Sequence, residues 1–272
     1  MGKRKAAYSP HQDKTERKTK RIRREIRPQN ETETATQSKL MSVTQLVHKV
    51  QQTFAKNANQ KNAVMMKKYM RNQFEFFGLK SPLRRSVSKE FLKVRFDSVG
   101  EMRELLKKLW LLPERDMQLF GIDYLDKHIK SFGDPLEDFD SNLECLEYLI
   151  VNKSWWDTVD LIASHFVGYM VRTQPDKGKP LMERWIEDDN MWLRRTALLH
   201  QLSYKGQTDE KQLYRFCVSR AHEKEFFIQK AMGWALRQYA MTKPSSVKTF
   251  LHKNKTILSK LTYREAAKHL GV

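Results

Sequence analysis

Apolar side chains recur three or four positions apart along almost the whole chain beyond residue 42, the period of a helix buried on one side. The first such run predicts a helix over 43–55. Others follow over 63–74, from Ser81 to about residue 94, over 99–111, from Pro113 to about residue 130, and over 139–151. Ser81-Pro82 reads as an N-cap with proline at the first helical position. Gly133-Asp-Pro135 breaks the pattern, and Ser154 is placed to cap a helix running from Trp156 through Asp160 to about residue 172. The run 174–180 holds two prolines and a glycine and reads as a link. Shorter helices are predicted over 180–187, 191–204, 210–222 and 225–241, and two more within 245–270. No β-hairpin signal or glycine-rich phosphate loop interrupts them.

Two of these helices look alike. Trp192-Leu-Arg-Arg-Thr-Ala197 and Phe227-Ile-Gln-Lys-Ala-Met232 align at an offset of 35 residues, each after an acidic or polar turn. A helix-pair period of that length predicts an all-α, HEAT-like helical repeat solenoid, one curved domain over 41–272 with a concave face. In that arrangement Arg195 and Lys230 fall at equivalent places on successive repeats. They either form a row of cations that follows a phosphate backbone or pair with the acidic turns that precede them.

Charge changes the picture more than composition does. Lys and Arg number 51 against 32 Asp and Glu, a net charge of +19. Residues 1–40 hold 12 basic and 5 acidic groups, leaving 39 and 27 for the remainder, so the predicted folded part is basic in its own right. Nucleic acid is the expected partner. Residues 1–40 read as a disordered basic tail, polar and poor in large aliphatics. Its cluster Lys18-Thr-Lys-Arg-Ile-Arg-Arg-Glu-Ile-Arg27 is of the nuclear-address or nucleic-acid-tethering type, which gives a nuclear location if the source is eukaryotic and a cytoplasmic one otherwise. The two cysteines, Cys145 and Cys217, give neither a disulfide framework nor a zinc spacing, and the histidines show no metal spacing; no metal or other cofactor is expected. No run of about 18 apolar residues is present, so no membrane span is expected.

The chemistry concentrates in Lys153-Ser-Trp-Trp-Asp-Thr-Val-Asp160. On a helix Trp156 and Asp160 are four apart and share a face, setting an aromatic plate beside a carboxylate. That pair suits a flat or sugar-like ligand that is, or becomes, cationic. Trp155 cannot face the same way and is expected in the core, as are Trp110 and Trp185. Trp192 is expected to pack at its helix start, and Asp157 to interact with the helix dipole.

These residues and their order resemble the AlkD-type alkylpurine DNA glycosylases, over roughly residues 45–255. The resemblance is carried by Trp155-Trp-Asp-Thr-Val-Asp160, by Arg195, by Trp234 within Gly233-Trp-Ala-Leu-Arg237, and by Tyr69-Met-Arg-Asn-Gln-Phe-Glu-Phe-Phe-Gly-Leu-Lys-Ser-Pro-Leu-Arg84. It implies a monomeric, monofunctional enzyme that hydrolyses the N-glycosidic bond of N3-methyladenine and N7-methylguanine in duplex DNA. Asp160 then matches the catalytic carboxylate, and Trp156 and Trp234 the aromatic walls at the deoxyribose. Arg195 and Tyr69 match residues at the DNA backbone and in the cleft, with Lys230 and Lys153 as further DNA contacts. The alternatives are a non-catalytic HEAT-like module for damaged or branched DNA and a protein-binding solenoid with a nuclear address.

Overall fold

Residues about one helix pair apart in sequence meet repeatedly in space, and that recurrence is the architecture. The computed structural model describes residues 41–271, and the tail expected over 1–40 lies outside them. In order the helices are α1 (Val43–Lys56), α2 (Gln60–Tyr69), α3 (Ser81–Val87), α4 (Val99–Leu111), α5 (Arg115–Phe132) and α6 (Phe139–Val151). They continue with α7 (Trp156–Leu161), α8 (Gly168–Thr173), α9 (Pro175–Trp185), α10 (Met191–Leu199), α11 (Glu210–Ser219), α12 (Phe226–Ala240), α13 (Pro244–Lys253) and α14 (Lys260–Ala267). Among the described residues there is no strand, only an isolated bridge between Glu75 and Glu114. The fold is all-α, as the hydrophobic period predicts.

From α4 onward the helices work in pairs: α4 with α5, α6 with α7 and the turn over Ile162–Val167, α9 with α10, α11 with α12, and α13 with α14. The second members pack on one another in the order α5, α7, α10, α12, α14. Polar contacts repeat the period. Trp110 Nε1 donates to the Leu149 carbonyl and Arg103 to Asn142, each across 39 residues, and Tyr204 Oη donates to Gly168 across 36. One apolar core runs through every layer, from Val43 and Leu46 to Ala266 and Leu270, because each repeat buries its apolar face only against its neighbours.

Local chemistry sets several boundaries. Ser42 with Gln45, and Ser98 with Glu101, form complete capping boxes. The helix expected over 63–74 begins earlier, at Gln60 under an Asn59 cap, and stops at Tyr69 because Arg71 and Asn72 take φ of +56° and +60°. Ser81 lies inside α3 and does not cap it; Lys80 holds the cap position without a side-chain bond. That helix ends at Val87, not near 94, and a 3₁₀ turn over Phe91–Lys93 follows. Ser154 donates its hydroxyl to the Ile150 carbonyl at 2.6 Å instead of capping α7, and Trp155 takes the cap position. The helix expected to continue to 172 carries a π-helical turn over Ile162–Val167. The expected link over 174–180 is the start of α9. Pro175 sits at its first position, and Leu181, Met182 and Trp185 bury its inner face.

The α12–α14 contact is the closest of these stacks. A Cβ on Gly233 would stand 2.5 Å from Glu265 Cβ and 2.9 Å from the Thr262 carbonyl oxygen. We expect Gly233→Ala to push the two helices apart and to cost about 1–3 kcal/mol, read from chemical denaturation. A midpoint equal to that of wild type would show that the contact is slack.

Candidate active site

The first turn of α5 builds the site from below. Arg115 is fully buried. Its Nε and Nη2 donate to the two carboxylate oxygens of Asp157 at 3.1 and 2.6 Å, Nη2 also reaches Thr158 Oγ1 at 2.8 Å, and Nη1 reaches the Lys153 carbonyl at 2.9 Å. The guanidinium lies over the Phe74 ring at 4.0 Å. Its neighbour Asp116, also buried, accepts from the backbone N–H groups of Phe77 and Leu79 at 2.8 and 3.0 Å. Two adjacent residues thus tie the segment after α2 to the start of α7. Tyr69, at the end of α2, is brought edge-on to Trp156, with ring centroids 5.9 Å apart and planes at 82°. Among the described residues, three of the four non-glycine positions with positive φ, Arg71, Asn72 and Lys153, lie on the connections that deliver these two rings. Strained backbone of this kind persists only where surrounding contacts impose it.

Trp156 and Asp160 point into a cleft of about 400 Å³ that Arg195, Lys230, Trp234, Arg237 and Glu265 also line. The Asp160 carboxylate is held in a fork by Arg195, Nε to Oδ1 at 2.7 Å and Nη2 to Oδ2 at 2.9 Å. The remaining guanidinium nitrogen of Arg195 donates to the Phe227 carbonyl. The side chains of the pair are only 12% and 6% exposed. Burial pushes the Asp160 carboxyl above its ordinary value, opposed by the hydrogen bonds and charge of Arg195. Glu265 lines the same cleft and pairs with Arg237 at 2.9 Å, Lys230 at 3.1 Å and Lys268 at 3.5 Å. Burial pushes the Glu265 carboxyl up, but these three cations together hold it below its usual range.

Asp160, Arg195, Lys230 and Glu265 are evenly spaced by 35 residues and come from α7, α10, α12 and α14. Arg195 and Lys230 are each the fifth residue of their helix, the equivalence read from the sequence. Neither pairs with the acidic turn before it. The carboxylates come from adjoining layers instead, Asp160 from the one before Arg195 and Glu265 from the one after Lys230, and the turns engage Arg194, which binds Glu223 and the Asp188 carbonyl.

The structure brings Trp156, Asp160, Arg195, Lys230 and Trp234 into one cleft, with Tyr69 against its Trp156 wall. Lys153 is placed elsewhere. Its ammonium donates to the Leu112 carbonyl and lies by Gln73 and Pro113, and burial draws its pKa down. Trp155 packs with Trp192 and Phe227 at centroid distances of 6.0 and 5.4 Å. Trp110 and Trp185 are core. Arg237, Glu265 and the exposed Phe226 were not singled out from the sequence. The 35-residue period carried one step past Lys230 reaches Glu265. Among the described residues no group of three or more His, Cys, Asp or Glu is placed to hold a metal, and no helix is long and apolar enough to cross a membrane.

Comparison with known proteins follows the same line. The chain is similar to a solved structure described as a predicted DNA alkylation repair enzyme from Enterococcus faecalis, with 30% identity and a TM-score of 0.70, covering 78% of this chain and 96% of that one. It shares its fold with AlkD2 from Streptococcus mutans at 16% identity and a TM-score of 0.57, covering 85% of this chain and all of that one. No curated protein sequence matches it significantly. The family model for the DNA alkylation repair enzyme matches residues 50–270, and the chain belongs to that family.

Proposed function

We propose that the protein is a monofunctional DNA glycosylase that releases cationic alkylated purines, N3-methyladenine and N7-methylguanine, from duplex DNA. The observation that carries this reading is the Asp160 carboxylate held in one cleft with Trp156 and Trp234. A purine alkylated at N3 or N7 already bears a positive charge. When the C1′–N9 bond breaks, its electron pair moves to the base, which leaves neutral without needing an acid. The positive charge then sits on the sugar as an oxocarbenium ion. A carboxylate stabilises that ion electrostatically, and tryptophan faces attract it through their quadrupole. Water adds at C1′ and gives up a proton, leaving an abasic site. Asp160 is the group beside the sugar that can orient that water.

Arg195 answers the objection that a carboxylate should repel DNA. The bidentate pair is neutral overall, so phosphates approach a groove whose other charges, Lys230 and Arg237 against Glu265, sum to a cation, while the fork fixes the direction of the carboxylate oxygens. The test is release of 7-methylguanine from a duplex carrying one such lesion, read as an alkali-labile break. We expect release by the wild type, with a rate that falls on acidification as Asp160 takes up a proton. The acid limb should lie above the ordinary aspartate value of 3.8, because burial raises this carboxyl. No release from either lesion, with salt-sensitive DNA binding intact, would leave only a binding module.

A further inference from the structure

We propose that Glu265 is a positioning residue for base release: it holds Lys230 and Arg237 off the two tryptophan walls and keeps them for the DNA backbone. This inference rests on the reading that the cleft takes the sugar of a damaged nucleotide at Asp160.

Three observations carry it. First, the two cations flank a wall. Lys230, Trp234 and Arg237 follow one another at one-turn intervals on α12, and all three line the cleft. A single oxygen gathers the cations: Glu265 Oε2 is 3.1 Å from Lys230 Nζ and 2.9 Å from Arg237 Nη1, and it also takes Lys268 Nζ at 3.5 Å. Second, the acid is anchored more firmly than the cations. Its side chain is 7% exposed, against 35% for Lys230 and 23% for Arg237. A Cβ on Gly233 would stand 2.5 Å from Glu265 Cβ, and Thr262 donates its hydroxyl to the Gln229 carbonyl at 3.1 Å, so packing of α14 on α12 sets where the carboxylate stands. An ammonium has three donors and a guanidinium five, which leaves both cations with N–H groups for a phosphate. Third, the walls stay open. A lysine or arginine near a tryptophan face and a carboxylate is drawn to both, and either contact would fill the seat of a cationic sugar. Among the described residues no cation lies over Trp156 or Trp234, and Asp160 pairs with Arg195 alone. Glu265 is the competing acceptor that keeps the seat empty. Three cations against one carboxylate still leave the cluster able to neutralise phosphate.

The test compares Glu265→Gln with wild type in the full chain, on a duplex carrying one 7-methylguanine and on the same duplex without the lesion. Glutamine keeps the length and a carbonyl acceptor but not the charge. We expect the single-turnover release rate at saturating protein to fall about tenfold, as the freed cations approach the charge that develops on the sugar. Affinity for the unmodified duplex should hold or tighten, and its log–log salt slope should steepen by about one, for one more cation on phosphate. A mere brace for α14 would give a lower melting temperature and weaker binding with the slope unchanged, and that result overturns the proposal. A steeper slope with an unchanged rate overturns it as well, because the cations would then never reach the sugar. If the single variant misfolds, the same change in a Lys230→Gln background leaves one cation fewer uncompensated, and the same two shifts are expected relative to that background. No base release by wild type overturns the glycosylase reading and this role with it. Release by wild type, with the rate or the slope unchanged in the variant, overturns this role alone.

Discussion

Asp160→Asn should lower the rate of 7-methylguanine release by about a thousandfold while leaving DNA binding intact or tighter. The size follows from one lost charge. A carboxylate about 4 Å from a sugar bearing a full positive charge is worth ~4 kcal/mol at an effective dielectric of ~20. Each ~1.4 kcal/mol is a factor of ten in rate. Arg195 then faces the sugar as an unbalanced cation, which adds to the loss. The same unbalanced cation attracts phosphate, so affinity should not fall. The fold should survive, because the asparagine carbonyl oxygen still accepts from Arg195. With its folded pKa raised, Asp160 contributes stability that is fully present below the unfolded pKa and is lost as pH rises through the folded pKa. Asparagine removes the carboxylate charge but leaves the Arg195 guanidinium, only 6% exposed, without a counter-charge, so the variant should be folded but less stable than wild type. The measurement is single-turnover release beside fluorescence anisotropy on the same duplex. A rate within tenfold of wild type would mean that the carboxylate is not at the reacting sugar.

Much of this was legible in the sequence, for a physical reason in each case. A one-sided helix advertises itself through its apolar period, so α1, α4 and α6 fall where they were expected. The shared register of Arg195 and Lys230 was legible because equivalent residues in stacked repeats occupy equivalent places. What they touch was not. An ion pair depends on which layer's carboxylate reaches across, and Asp160 and Glu265 reach where the nearby acidic turns do not. The π turn after Asp160 was hidden as well, since Ile162–Val167 keeps a helical composition. Its hydrogen bonding changes where Ser164 donates to the Asp160 carbonyl at 2.7 Å. The cap at Ser154 failed for the same kind of reason: the hydroxyl turns back to donate to the Ile150 carbonyl and Trp155, not Ser154, takes the cap position. Such competitions are settled by fractions of a kcal/mol to about one, which a one-dimensional pattern does not carry.

Arg115 was the least legible residue of the site, and its loss should have the largest effect on stability. It opens α5 with nothing in the sequence to separate it from the many other basic residues, yet it is fully buried and makes four hydrogen bonds to the first turn of α7 and its approach. Arg115→Met keeps the stem and the contact with Phe74 but strips Asp157, whose side chain is only 7% exposed, of its partner. Breaking a buried pair from one side costs about 3–5 kcal/mol, because the remaining charge is left desolvated and uncompensated. For a folded unit of this size that corresponds to a fall in melting temperature of about 10 °C. The double variant Arg115→Met/Asp157→Leu removes the stranded charge and should recover most of the loss, since replacing both partners with apolar groups is near neutral. A single variant that melts within about 2 °C of wild type would show that the pair carries little energy. A double variant no more stable than the single one would place the cost in the lost contacts to Lys153 and Thr158. In the recovered double variant α7 is again anchored, but by packing in place of a fork of fixed geometry. Its release rate then reports how closely Trp156 and Asp160 must be aimed: a stable protein with a lowered rate would make Arg115 a positioning residue for the chemistry as well as a brace for the fold.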